Sequence, residues 1–189
     1  MALLADPTRV IPAAPALSGL GFATLARGEL GQADEFFQKS LTTPTTFWLL
    51  EKPRNLVGLA FSALERKKLD AAQGYVDEAR AYSETRAMKT YYPLVAYADA
   101  LVRVARADNE RALDEFTRAE EFAMELQMRP IVWQACAGAA KLLDALGRAD
   151  EAERKRGDAR AMIEEIANLF EDEKWRAAFA EPAMAKVAV

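Results

Sequence analysis

Histidine is absent from this 189-residue sequence, and cysteine occurs once, at Cys136. The commonest general base and metal ligand is therefore missing, which excludes cysteine-histidine zinc sites. A lone cysteine also excludes an intramolecular disulfide. Strand signals are scarce, with no alternating run bounded by Asn-Gly or Asp-Gly. No Gly-rich loop is followed by Lys-Ser/Thr, so these residues encode no phosphate loop of the ATPase kind. No apolar run approaches the roughly 18 residues that would mark a bilayer span. The opening MALLADPTRVIPAAPA has an early acid, no basic segment and prolines inside its apolar stretch. That is not a signal-peptide pattern, and a cytoplasmic location is expected. A net charge of −4 supplies neither the basic stripe that nucleic acid requires nor an attraction to anionic membranes. Neither is expected as a partner.

What the sequence does have is 51% hydrophobic and 29% charged residues, the balance of a folded chain and not of a disordered tail. It also has a repeat. In GELGQADEFFQKSL, Ala33, Phe37 and Ser40 share one helical face at i, i+4, i+7. The same face returns as Ala72, Val76, Ala79, as Ala112, Phe116, Ala119, and as Ala152, Arg156, Ala159, and the step from copy to copy varies by a single position. Periods of about 20 to 50 residues point to stacked solenoids. Arg156 stands where the other copies are apolar, so the last copy is expected to be partly solvated there.

The residues around each set agree. Gly28 and Gly147 each lie five positions before their alanine, where a left-handed helix end suits glycine. Lys67 and Ala107 hold that place in the middle copies, so those turns must close without glycine. Asp70 and Asp150 fall in the first helical turn, where an acid favours the positive end of the dipole. A second helix precedes each of the last three sets: Leu56 to Glu65, Leu94 to Arg103 and Ile131 to Ala145, with small Ala60, Ala100 and Ala140 facing the partner; the first pair begins at Ala16. Pro53 and Pro93 are placed at helix starts, where the missing N–H costs nothing. Asp172 is placed to cap a closing helix, with Trp175 and Phe179 covering the exposed apolar face at its end; the second reading of Trp175 is a hot spot for another subunit.

The expected architecture is all-α: an α-solenoid of about four helix-turn-helix repeats with period 39–40 and a C-terminal capping helix. Residues 1–15 read as a linker, 16–170 as the array and 171–189 as the cap and tail.

The small residue, alanine, aromatic and proline at Gly21, Ala33, Phe37 and Pro44 resemble the tetratricopeptide pattern. The usual period is about 34, so the helices here would be longer by a turn or more. The stretch VWQACAGAAKLLDALGRADEAERKRGDARAMIEEIANLFEDEKWRAAF is similar to the C-terminal arrays of multi-domain bacterial signalling proteins. These are STAND-type ATPases, LuxR-like transcriptional regulators and ATPase-linked adenylate/guanylate cyclases. The resemblance implies a regulatory array at the C-terminal end of a larger signalling protein.

A repeat array of this kind lines an inner face with the first helix of each pair. That face is expected to hold Arg54, Val57 and Phe61, then Leu94, Tyr97 and Leu101, then Gln134, Ala137 and Lys141, a mixed groove for an extended or helical peptide. Arg54, Phe61, Tyr97, Leu101, Gln134 and Lys141 are the candidate contacts, although Leu94 and Leu101 read more readily as core. The Lys and Asn set of tetratricopeptide domains that clamp C-terminal carboxylates is not matched.

The other chemistry-bearing residues read as structural. Cys136 lies among alanines on a packed helix and reads as a small buried hydrophobe. In ERKRGDAR, Glu153 to Arg160, acids alternate with bases as on a solvated helix face. Glu120 with Glu121, and Glu164 with Glu165, point about 100° apart and cannot share a substrate. No catalytic constellation, cofactor or metal is expected. The function read from the sequence is a protein or peptide interaction and sensor module. The second expectation is a stand-alone adaptor or assembly scaffold, dimerising through its first repeat.

Overall fold

The computed structural model describes residues 13–43 and 46–188. Among them no strand occurs. The helices are α1 (Ala13–Ala26), α2 (Leu30–Thr42), α3 (Thr46–Glu65), α4 (Leu69–Thr85), α5 (Tyr92–Ala105), α6 (Asn109–Glu125), α7 (Arg129–Ala145), α8 (Ala149–Ala167) and α9 (Glu173–Val187), with a 3₁₀ turn at Lys89–Tyr91 before α5. The chain divides after Tyr91 into two compact units. In the first, α1 pairs with α2 and α3 with α4, and α3 also packs on α1 and α2. In the second, α5 pairs with α6 and α7 with α8, α7 also packs on α5 and α6, and α9 closes on α8.

Among the described residues, one turn device is used six times. At Gly28, Lys67, Ala87, Ala107, Gln127 and Gly147 the backbone enters the left-handed region, with φ between 51° and 76°. In each case that residue's N–H bonds back three positions and the next N–H bonds back five, as in Lys67 to Leu64 and Lys68 to Ala63. This is the Schellman helix ending. At five of the six, the residue after the left-handed one (Glu29, Lys68, Asp108, Met128, Arg148) is also the N-cap of the next helix, and its carbonyl accepts from the residue four further on. The connection is so short that the helices must run antiparallel. Lys67 and Ala107 do replace glycine, yet they adopt glycine's conformation.

The repeated faces form the core. Ala33, Phe37, Ser40, Ala72, Val76, Ala79, Ala112, Phe116, Ala119, Ala152 and Ala159 are all essentially inaccessible. Each aromatic fills a gap left by glycine. The Phe37 ring lies against Gly21 on α1 and Gly58 on α3, and Phe116 lies against Gly138 on α7, so closely that a methyl group at any of the three would overlap it. Phe22 meets Phe37 edge-on at 5.1 Å. Ser40 replaces the alanine of the other copies because its hydroxyl makes two bonds: it donates to the Ala14 carbonyl at 2.8 Å and accepts from Asn55 at 2.7 Å. Those two bonds tie α2 to both neighbours.

Some expectations need correction. Pro53 lies inside α3, not at its start, because the helix begins at Thr46. Its buried ring fills core space at the cost of one backbone bond. Pro93 is the second residue of α5, in the first turn as expected. Residues 13–15, read as linker, belong to α1; Pro44 lies outside the described residues. Asp172 caps α9 by accepting from the N–H groups of Lys174 and Trp175 at 2.7 and 3.3 Å. Trp175, however, is 66% exposed and does not join the cluster on which α9 closes. The closing contacts come from Phe179, Ala183 and Val187, which lie a turn or more further along and reach the cluster around Trp133, Ile163 and Ile166.

Candidate partner-binding surfaces

In the first unit, Arg54 and Phe61 are half-buried on α3. The Arg54 guanidinium sits 5.1 Å from the centre of the Phe22 ring and 3.8 Å from Glu51. Val57, assigned to the same face, is wholly buried. Its position at i+3 turns it into the hairpin seam, leaving Arg54 and Phe61 at the seam's edge.

In the second unit, α5 and α7 lie side by side and bring Tyr97, Leu101, Gln134 and Lys141 onto neighbouring helices. Tyr97 and Leu101 are half-buried: Tyr97 packs against both core clusters of this unit, and Leu101 against the one around Phe116. The Tyr97 ring is 6.1 Å from that of Phe116, and burial pushes its phenol up to about 12. Leu94 and Ala137 are likewise half-buried against the core. Gln134 is half-buried and Lys141 exposed; neither engages a hydrogen-bond or ion-pair partner among the described residues. Partly exposed apolar side chains thus lie on α5, and an amide and an ammonium lie on the neighbouring α7.

Cys136 is inaccessible, as its alanine-rich surroundings imply. Burial first, and the carboxylate of Glu120 second, push its thiol up to about 12, so at neutral pH it is protonated and inert. Its sulfur and single oxygens of Glu120 and Asp158 lie within 4.8 Å of one another. Lys155 already donates to Glu120 at 2.5 Å and supplies the positive charge that such a cluster would otherwise draw from a cation.

The ERKRGDAR segment is a paired, solvated face. Arg156 binds Asp144 of α7 and Glu153, and Arg160 binds Glu153 at 3.1 Å. This pairing explains the arginine at an otherwise apolar repeat position: its guanidinium reaches past the core to α7. Glu120 and Glu165 likewise serve as ion-pair partners, the latter to Arg129 at 2.6 Å.

Two grooves escaped the sequence reading. One, of about 250 Å³, is lined by Met124, Val132, Met162 and the Arg129–Glu165 pair; the other, of about 380 Å³, by Leu143, Glu151, Arg154, Lys155 and Asp158. Each gathers residues from separate helices, and no local pattern marks them. Among the described residues no helix is long and apolar enough to cross a membrane. The chain matches no family model and no curated protein.

Proposed function

We propose that the chain is a non-catalytic protein-interaction or sensor module that holds a peptide on the α5–α7 surface. The observation that supports this most is that half-buried Tyr97 and Leu101 lie on the helix beside α7, where the amide of Gln134 and the ammonium of Lys141 have no partner among the described residues. Apolar anchors with a few orienting polar groups are what a peptide groove requires. The resemblance of residues 132–179 to signalling arrays supports a role as the C-terminal regulatory part of a larger bacterial signalling or transcription-regulating protein. In that setting the peptide acts by binding two states of the whole with different affinity.

The test is a peptide-array screen on the purified chain, followed by calorimetry on the best sequences. Tyr97→Ala and Lys141→Glu should each weaken binding about tenfold or more, the loss of about 1.4 kcal/mol. Peptides that bind both variants as tightly as the parent chain would move the site elsewhere. The setting has its own test, the mass of the endogenous polypeptide in a source-cell lysate. A band far above 20.9 kDa supports the larger protein, and one at that mass supports a stand-alone adaptor.

A further inference from the structure

We propose that the groove of about 250 Å³ beside Arg129 and Glu165 binds a free α-amino acid with an apolar side chain. Its apolar lining is built by the fold. Met124 near the end of α6, Val132 in α7 and Met162 in α8 come from three consecutive helices; Val132 belongs to the core cluster around Trp133, and Met162 packs against it. Val132 is buried and fixed in place, whereas Met124 is 56% exposed and Met162 half-buried. Their thioethers are flexible and polarisable, and adapt to an apolar chain of varied shape. The volume lies below the roughly 300–1,000 Å³ of sites for drug-sized ligands, so the occupant is small.

The polar rim sets its charge. Arg129 and Glu165 meet through a single bond, donated by Nε to Oε1 at 2.6 Å. The Nη1 and Nη2 groups of Arg129 and the second oxygen of Glu165 engage no partner among the described residues, and neither does the side-chain amide of Gln127, which lies beside them in the groove. The guanidinium therefore still offers a two-pronged donor suited to a carboxylate, and the free Glu165 oxygen an acceptor for an ammonium. A simple anion is attracted by Arg129 and repelled by Glu165. A simple cation meets the reverse, and an uncharged apolar molecule gains from neither. A zwitterion satisfies both.

Because Arg129 and Glu165 touch, the two charges of that zwitterion must be adjacent, as they are around the α-carbon of an amino acid. Its carboxylate lies on the Arg129 fork and its ammonium on Glu165, so that charges of protein and ligand alternate with the Arg129–Glu165 bond intact. The side chain then covers Met124, Val132 and Met162. A peptide is a poor match, since its ammonium and carboxylate stand at opposite ends.

The probes are L-leucine, L-methionine and L-phenylalanine, added to the intact chain with its methionine methyl groups labelled with carbon-13. With at least one of them the Met124 and Met162 resonances, assigned by Met124→Leu and Met162→Leu, should shift saturably at millimolar concentration, while Met88 in the first unit stays in place. Taking leucine as the reference, N-acetyl-leucine, which lacks the ammonium, and leucinamide, which lacks the carboxylate, should each bind at least tenfold more weakly. Arg129→Gln and Glu165→Gln, both at partly exposed positions, should keep the circular dichroism spectrum and weaken leucine at least tenfold. Glu165→Gln should at the same time leave N-acetyl-leucine unchanged or tighter, a result that a loss of local structure would not give. Lys141→Glu should leave leucine binding as it is, which separates this groove from the α5–α7 surface. The proposal is overturned if none of the three amino acids moves the two methionine resonances, if the blocked derivatives bind as tightly as leucine, or if binding survives both Arg129→Gln and Glu165→Gln.

Discussion

Four residues with side chains sit where glycine is the easier choice: Lys67, Ala87, Ala107 and Gln127, all at positive φ. A left-handed residue other than glycine costs roughly 1–2 kcal/mol. Replacing it with glycine relieves that strain but gives the unfolded chain freedom worth about 0.4–1 kcal/mol. Strain is the larger of the two, so Ala107→Gly should stabilise the chain by about 0.5–1 kcal/mol, read as a higher urea midpoint with unchanged slope. Gly147→Ala runs the argument backwards and should destabilise by a similar amount; a neutral result for both would mean the turns relax out of the left-handed region. Cys136 gives a residue-scale prediction of another kind. Its folded thiol is raised from 9.0 to about 12, so above pH 9 the unfolded chain releases a proton that the folded chain keeps. Stability is therefore full below about pH 9 and falls as pH rises towards 12. Tyr97, raised from 10.0 to about 12, adds to the fall from pH 10 upward. Urea midpoints at pH 8, 9.5 and 10.5 should decline, and Cys136→Ala should flatten the step from 8 to 9.5. A midpoint independent of pH in the parent chain would place the thiol in water.

Between helices, stability rests on matching large residues to missing ones. Phe116→Ala should cost about 3–5 kcal/mol as a core truncation, and so should Phe37→Ala. The more discriminating test is on the socket side. Gly138→Ala gains helix propensity of up to about 1 kcal/mol, but the added methyl overlaps the Phe116 ring, an overpacking cost of about 1–3 kcal/mol. The clash is the larger effect, so a net loss is expected. In a Phe116→Leu background the clash is relieved and the same change should turn neutral or favourable, a coupling that a double-mutant cycle measures directly. Equal effects in both backgrounds would remove the socket from the account. These matched pairs also mark where sequence reasoning stopped. The Ala-x₃-Phe-x₂-small stripe was legible because a helix repeats within a few positions. The glycine opposite each phenylalanine was not, because only tertiary packing brings Gly58 or Gly138 to it. Pro53 was misplaced for a similar reason: a buried ring can outweigh one lost backbone bond, and only the surrounding core reveals it. At the closing helix, the Asp172 cap was readable from local chemistry, whereas which aromatic covers the core, Phe179 and not Trp175, depended on where α9 meets α8.

Across the whole chain, the repeat step predicted the helix pairs, since one period is one hairpin with its turns and each hairpin adds the same face. The division after Tyr91 had no such signal: the sequence step runs through it unbroken from Ala72 to Ala112. Candidate site residues divided in the same way. Arg54 and Phe61 belong to the first unit, and Tyr97, Leu101, Gln134 and Lys141 to the second, a distinction that helical spacing alone cannot draw. Each unit has a core around its own phenylalanine, Phe37 with Ala33 and Leu59 in one, Phe116 with Ala112 and Ala135 in the other. Chains built from repeated hairpins open by segments, with local free energies set mainly by nearby contacts. Phe37→Ala should therefore lower amide protection in residues 13–91 by more than in residues 92–188, and Phe116→Ala should do the reverse. Native-state hydrogen exchange resolved by peptide reads both. If either substitution lowers protection evenly from end to end, the chain unfolds as one cooperative body and the two cores act as a single one.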